Sequence, residues 1–410
     1  MSNILDGIVV LDLTRFFSGP QATLLLAGMG AEVIKIDDPR TGDPTAFAPP
    51  YAGPQGVSFD RQTDQDMGLA YLKRSRGKKS VTLNLKSGRG VALFLKMVAK
   101  ADVVIENFSA GVADRLGIGY TRLREANPRL VYCALSGYGA TGPDRNLKAY
   151  DPMVQAAVGL MSITGQPDSG PVKAGSPISD AIAGVFAANG IVAALLHRER
   201  TGTGQAVDVS MVDCLFSLIF DEPLDCYERL GLNARQGSRI MRFSPFNAYR
   251  TLDGWVVIGA ATQDDWAALV RVMRRNDLLE HPEFGRLAWR LANNAQVDEI
   301  VAAWAGQETT ASVIEHLTDA KVPCSPVRSI DDVMHWRHLH DRSMIEPVWN
   351  PLSGGEVEAA AAGFPLKFSR TPGGYRNPAP LPGQHTAEVL SRLAKVSQEE
   401  MSAFQAAGIV

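Results

Sequence analysis

Strand and helix signals alternate through the first third of the chain, and this alternation restricts the fold more than any other feature. Gly7–Leu13 (GIVVLDL) is a short β-branched run. Ser18-Gly19-Pro20 follows, a helix start with proline near the first helical position. The apolar stretch behind it stops at Gly30, and Glu32–Ile36 predicts a second strand. Ser80–Leu85, Val103–Ile105 and Leu130–Leu135 predict three more, separated by helical stretches such as Gly90–Lys100. Strand, helix, strand in sequence argues for an α/β fold with a parallel sheet covered by helices on both faces.

Further along, Asp180–Arg200 predicts a long helix rich in alanine and glycine, capped by Ser179 or Asp180 and followed by Gly202. The character changes between about 225 and 330. NAYRTLDGWVVIGA predicts a hairpin turning at Asp253-Gly254, and amphipathic helices follow near Gln263–Arg275 and Ala311–Ala320. This middle region is expected to be a second, smaller domain. The expected division is 1–224, 225–330 and 331–410. The Pro/Gly-rich tail from about 345 is expected to wrap on a surface and to close with a helix near Thr386–Lys395.

A chain of 410 residues suits about two domains. Its net charge of −3 argues against a general nucleic-acid or anionic-membrane surface. Cys133, Cys214, Cys226 and Cys324 form no C-x-x-C pair and suit a reducing compartment. The N-terminus reads as no signal peptide. The uncharged run Ala181–His197 falls short of the ~20 apolar residues of a spanning helix. A cytoplasmic enzyme with no membrane partner is expected.

The segment after the first strand, Thr14–Pro20, lacks G-x-G-x-x-G, and no G-x-x-x-x-G-K-[ST] is present. The usual pyridine-nucleotide and ATP sites are therefore disfavoured. The run Lys73–Lys79 (KRSRGKK) reads either as a solvated loop or as a place for phosphates. His335, His338 and His340 lack a completing Cys or carboxylate set, so no metal is expected. There is no G-x-S-x-G elbow and no activated cysteine. The chemistry then falls to carboxylates. Asp180 opens the long helix, where N–H groups and the macrodipole favour an ionised carboxylate. By position alone it is either an N-cap or a nucleophile.

Several stretches together resemble the family III CoA-transferases, the group of formyl-CoA transferase and carnitine CoA-transferase, with α-methylacyl-CoA racemase as a relative. They are LDGIVVLDLTRFFSGPQAT, GAEVIKIDDPRTGD, KKSVTLNLK, ADVVIENFSAGVADRLGI, SGYGATGP, HRERTGTGQAVDVSMVD and PLPGQHTAEVL. The resemblance implies a large domain on a Rossmann-like sheet built from both termini and a small α+β domain from the middle. It implies an interlocked homodimer, coenzyme A or acyl-CoA as substrate, and no permanently bound cofactor. It makes Asp180, in GSPISDAIAG, the nucleophile that passes through a mixed anhydride and an aspartyl-CoA thioester.

The same resemblance carries CoA contacts to Phe17 and Ser18, to Leu83, Leu85 and Lys86 on the strand after the basic run, and to Asn107, Phe108, Ser109 and Arg115. It carries them also to Lys148 and Tyr150 before the catalytic helix. Arg40 is a further phosphate candidate, although the neighbouring family arginine position is Asp38 here. The family's glycine-rich covering loop is replaced by Gly237–Asn247 (GSRIMRFSPFN), which makes Arg239 and Arg242 candidate ligands for the acceptor carboxylate. Two other readings stay open. A racemase needs a base and an acid about the α-carbon, but Ala149-Tyr150-Asp151 stands where racemases carry G-H-D. A CoA-binding protein without catalysis is the other.

Overall fold

The five expected strands, one of them displaced, and a sixth that the sequence reading did not include form a parallel sheet: β1 (Val9–Asp12), β2 (Glu32–Asp37), β3 (Lys78–Thr82), β4 (Val103–Glu106), β5 (Val131–Ser136) and β6 (Ala206–Ser210). The structure is a computed structural model and describes residues 3–410. Neighbours in the sheet run β3-β2-β1-β4-β5-β6, every pair parallel. Strand order reverses between β1 and β4, and in such sheets the crevice beyond the C-terminal ends at this point holds ligands. The helices that bear on it are α1 (Ser18–Gly28), α2 (Leu69–Arg74), α3 (Gly88–Val98), α4 (Asp151–Ala157), α5 (Ile178–Thr201) and α6 (Met211–Ile219).

The chain divides into two units. The first comprises Met1–Val158, Gly175–Glu222 and Arg337–Val410, and the second Gly159–Ala174 and Pro223–Trp336. The second unit holds the hairpin Phe246–Arg250/Trp255–Gly259, a third strand Cys324–Pro326, and helices packed on Trp266, Leu269, Val301 and Val313. Gly159–Ala174 clusters with this unit although it lies far upstream in sequence; the Gly237 N–H bonds the Gly165 carbonyl.

Four elements differ from the sequence expectation. Strand β3 begins at Lys78 and ends at Thr82, so Leu83, Leu85 and Lys86 lie in the loop beyond its C-terminal end. The strand starts inside the basic run because its lysines are taken inward. Lys78 Nζ meets Asp12 Oδ2 at 3.2 Å and Thr23 Oγ1 at 2.6 Å, wholly buried. Burial alone would push the Asp12 carboxyl up; Lys78, Lys35 and two threonine hydroxyls outweigh it and hold it below the usual range. Arg76 pairs with Glu346, and Lys79 with both Glu32 and Glu388. Most of the run is thus structural stitching, neither a solvated loop nor a phosphate site.

Strand β6 carries no strong apolar signal, because it is a half-exposed edge. The tail is more than a surface wrap. Ile345–Asn350 and Gly355–Ala362 pair antiparallel, bury Val348 and Ala361, and tie to the main body through Asn350 Nδ2 on the Ala52 and Gln65 carbonyls. Its helix Thr386–Ala394 then packs on α3, with Val389 and Leu390 in the core of the sheet. Helix α5 spans 24 residues and, by length and composition, is apolar enough to cross a membrane. Its inner face, Ala183, Ala187, Ala188 and Ile191, is buried in the protein.

Candidate functional site

The loops after β1 and β4 meet at the switch point. Asn107 joins them: its Oδ1 accepts from the Arg15 N–H at 2.9 Å, and its Nδ2 donates to the Arg15 carbonyl at 2.8 Å. This leads the chain through Phe16, which takes a left-handed φ of 68°. Such strain persists where surrounding contacts enforce it. Arg74, the last residue of α2, supplies two of them, donating from Nη1 to the Phe16 carbonyl and lying 4.4 Å over the Phe17 ring. Helix α1 then starts at Ser18.

Asp180 lies in the first turn of α5, facing α1. One turn on, Gly184 lets the two helices close: a Cβ there would stand 2.8 Å from the Ser18 carbonyl. That approach sets Ser18 beside the Asp180 carboxylate, where its hydroxyl and N–H pull the pKa down. The helix begins at Ile178, so neither Ser179 nor Asp180 is its cap. The capping acceptor comes from α4. Buried Asp151 Oδ1 takes the Ser179 N–H at 2.8 Å, the Ser179 hydroxyl at 2.5 Å and the Asp180 N–H at 3.5 Å. With the helix-end donors spent on Asp151, the expected lowering of the Asp180 pKa does not occur. Burial, then the Asp151 charge, pushes the Asp180 carboxyl up to about 6, against the pull of Ser18 and Arg74. It is still about nine-tenths ionised at pH 7.

Asp180 opens into a cleft of about 330 Å³ lined also by Ser18, Asn107, Phe108, Ser109, Lys148 and Tyr150. Among the described residues it is the only carboxylate lining the cleft, and no histidine or cysteine does so. Tyr150 and Phe16 meet edge to face at 6.4 Å at its mouth, both exposed. Phe108 is shared with two further cavities. One, of about 340 Å³, has apolar walls including Leu83, Leu85 and Leu116, with Arg15 and Lys86 among its polar lining. The other, of about 580 Å³, includes Arg115, Arg145 and Glu106 in its lining. Burial pushes the Glu106 carboxyl up to about 7, although the Phe108 N–H and the Tyr132 hydroxyl both donate to it.

The structure therefore gathers Ser18, Leu83, Leu85, Lys86, Asn107, Phe108, Ser109, Arg115, Lys148, Tyr150 and Asp180 along connected cavities. Phe17 lines none of these three; it lies under Arg74. Arg40 is outside them too, exposed and paired with Asp38, which also takes Lys86. Arg239 and Arg242 belong to the second unit. There Arg239 Nε donates to Asp298 at 2.6 Å, and Asp298 also accepts from Asn247 and Tyr249, so Arg239 serves its own unit's packing. Arg242 leans on the Phe243 ring. Sequence reasoning missed Asp151, Arg74, Arg145 and Glu106. Glu106 stood inside a quoted stretch and Asp151 in Ala149-Tyr150-Asp151, but only the packing of α4 on α5 and the Tyr132 bond give them a role.

The chain matches CoA-transferase family III over residues 5–386. It is 37% identical to succinyl-CoA:mesaconate CoA-transferase of Haloarcula marismortui, covering 94% of this chain and 95% of that one. It is 35% identical to the succinyl-CoA–L-malate CoA-transferase alpha subunit of Chloroflexus aurantiacus, covering 99% and 92%. A crystal structure of a CAIB/BAIF family protein from Brucella suis superposes with a TM-score of 0.80 at 28% identity, over 96% of this chain and all of that one. A doubly wound sheet, a lone cleft carboxylate at its switch point and these matches lead to one assignment: the chain belongs to CoA-transferase family III and is an enzyme that transfers CoA between an acyl-CoA and a carboxylic acid.

Proposed function

We propose that Asp180 carries this transfer covalently. The observation that supports it is a single carboxylate in the cleft, next to Ser18, with no histidine or cysteine among the described lining residues. One Asp180 oxygen attacks the thioester carbon, giving a mixed anhydride and CoA thiolate. The thiolate attacks the Asp180 carbonyl carbon, releasing the donor acid and leaving an aspartyl-CoA thioester. The acceptor carboxylate attacks that carbon and expels the thiolate, which then takes the acceptor acyl group from the new anhydride. Asp180 returns unchanged. Where the tetrahedral carbon is that of Asp180 itself, Ser18 beside its oxygen stabilises the oxyanion. Each step exchanges one acyl bond for another, so no outside energy source is needed.

In this reading coenzyme A lies along the connected cavities, with the nucleotide base against Leu83 and Leu85, the phosphates toward Arg115 and Lys148, and the thioester at Asp180. The acids named in the relatives, mesaconate and malate with succinyl-CoA as donor, are dicarboxylates, and we infer the same class here. The racemase reading lacks a second base, since Tyr150 is the exposed residue where racemases carry histidine. A homodimer is part of the proposal. Val185 and Leu196 on α5, with Phe216 and Leu218 on α6, leave a large apolar surface exposed on the monomer, as an interface requires. Sedimentation at micromolar concentration should give twice the chain mass; a monomer refutes it.

Incubation with succinyl-CoA, then hydroxylamine, should modify Asp180 and no other residue. An ¹⁸O label on the acceptor carboxylate should pass in part to the released donor acid by way of Asp180. Substantial transfer by Asp180→Asn, with deamidation excluded, refutes the assignment.

A further inference from the structure

Strand β4 ends in a buried carboxylate that the transfer chemistry does not use. Glu106 is 7% exposed, and its two oxygens are spent on different elements. Oε2 accepts the Phe108 N–H at 2.6 Å, in the loop that follows. Oε1 accepts the Tyr132 hydroxyl at 3.1 Å, from the adjacent strand β5. Tyr132 is itself buried, with its ring 5.8 Å from that of Tyr120. A side chain bonded at both oxygens has no freedom to swing, so it carries the position of β5 to the Phe108 backbone. Asn107 holds the same loop from the other side, through the Arg15 N–H and carbonyl.

The residue held in this way is the one the cavities share. Among the described residues Phe108 alone lines all three. A shift of its ring narrows one cavity as it widens another. Burial, with Asp114 and Asp208 adding to it, works against the Glu106 charge, so the fold keeps an acid here at a cost. We propose that Glu106 is a positioning residue for acyl-CoA: it ties the Phe108 N–H to β5 and so holds the Phe108 ring as the wall along which the ligand lies. The inference rests on the placement of coenzyme A along these cavities. Glu106 does not line the Asp180 cleft and takes no part in bond making. What the role requires is an acceptor at a fixed place. An amide oxygen at that place serves; a carboxylate on a shorter stem does not.

Calorimetric titration with free CoA reads this without turnover. Glu106→Asp keeps the charge but withdraws both oxygens, and Glu106→Met fills the space without an acceptor. Each should raise the CoA Kd about tenfold or more, because a loosened wall must be ordered on binding; either variant suffices if the other does not fold. Glu106→Gln, which keeps an acceptor for Phe108 and a donor for the Tyr132 oxygen, should stay within about threefold of wild type. Phe108→Ala should itself weaken CoA about tenfold or more, and adding Glu106→Asp to it should cost less than about twofold further, since the carboxylate acts through that ring. Wild-type affinity in Glu106→Asp or Glu106→Met overturns the proposal. So do losses that multiply in the double variant, and so does a Glu106→Gln protein as weak as Glu106→Asp, which marks a general loosening of the fold. A Phe108→Ala protein that binds CoA as wild type does refutes the placement of coenzyme A along Phe108 instead, before Glu106 is changed.

Discussion

Replacing Asp180 by asparagine should stabilise the protein at neutral pH, and the gain should disappear in acid. The Asp180 carboxyl ordinarily titrates near 3.8 and here near 6, because it is buried beside Asp151. A folded-state pKa above the unfolded one means the native state holds the proton more tightly. Stability from this group is therefore full below about pH 4 and is lost as pH rises toward 6. Linkage puts the cost of the ionised group at about 1 kcal/mol at pH 4.5 and about 3 kcal/mol at pH 7.5. Asparagine carries no such charge and keeps an oxygen for Ser18. The stability difference between Asp180→Asn and wild type should thus widen by about 2 kcal/mol between these pH values. Constant effects of the amide cancel in that comparison. Denaturant titrations of both proteins at pH 4.5 and 7.5 measure it. A difference independent of pH, or one that narrows toward neutrality, refutes the argument that burial and Asp151 keep this carboxylate at a cost. The physical meaning is a cleft carboxylate kept ionised at a cost to the fold.

If Asp180 acts as proposed it must be ionised, so kcat/KM with succinyl-CoA should fall about tenfold per unit below roughly pH 6; a flat pH–rate profile between pH 4.5 and 6 refutes this. Gly184→Ala should push α1 away from α5 and move the Ser18 donors off Asp180; kcat/KM should drop about 10- to 100-fold while a melting curve still shows a folded protein. Lys78→Met leaves Asp12 charged and buried without its partner and should cost about 3–5 kcal/mol in a denaturation assay, with part restored by adding Asp12→Asn. Arg239→Ala should destabilise the second unit through Asp298, seen as faster amide exchange at Tyr249 and Asn247, with equal effects on transfer to mono- and diacids.

The sequence alone determined the elements and the family. β-branched runs broken by small and turn residues mark β1, β2, β4 and β5, because a buried parallel strand must be apolar on both faces. Asp253-Gly254 between two such runs marks the hairpin of the second unit. The small residues of Ala181–Gly190 mark a helix that another helix approaches closely, and the quoted motifs single out Asp180. Tertiary structure alone decided what the charged residues do. Lys73–Lys79 reads as one basic loop, yet packing sends Lys78 to Asp12, Arg76 to Glu346 and Lys79 to Glu32 and Glu388, and sets Arg74 on the Phe16 carbonyl and the Phe17 ring. Helix-end reasoning places a low pKa on Asp180, but Asp151, distant in sequence and adjacent in space, takes the helix N–H groups and adds its own charge. Local patterns record which backbone conformation and which face a residue favours. The partner of a buried charge is set by chain segments tens to hundreds of residues away, and at short range in a low dielectric that partner decides the chemistry.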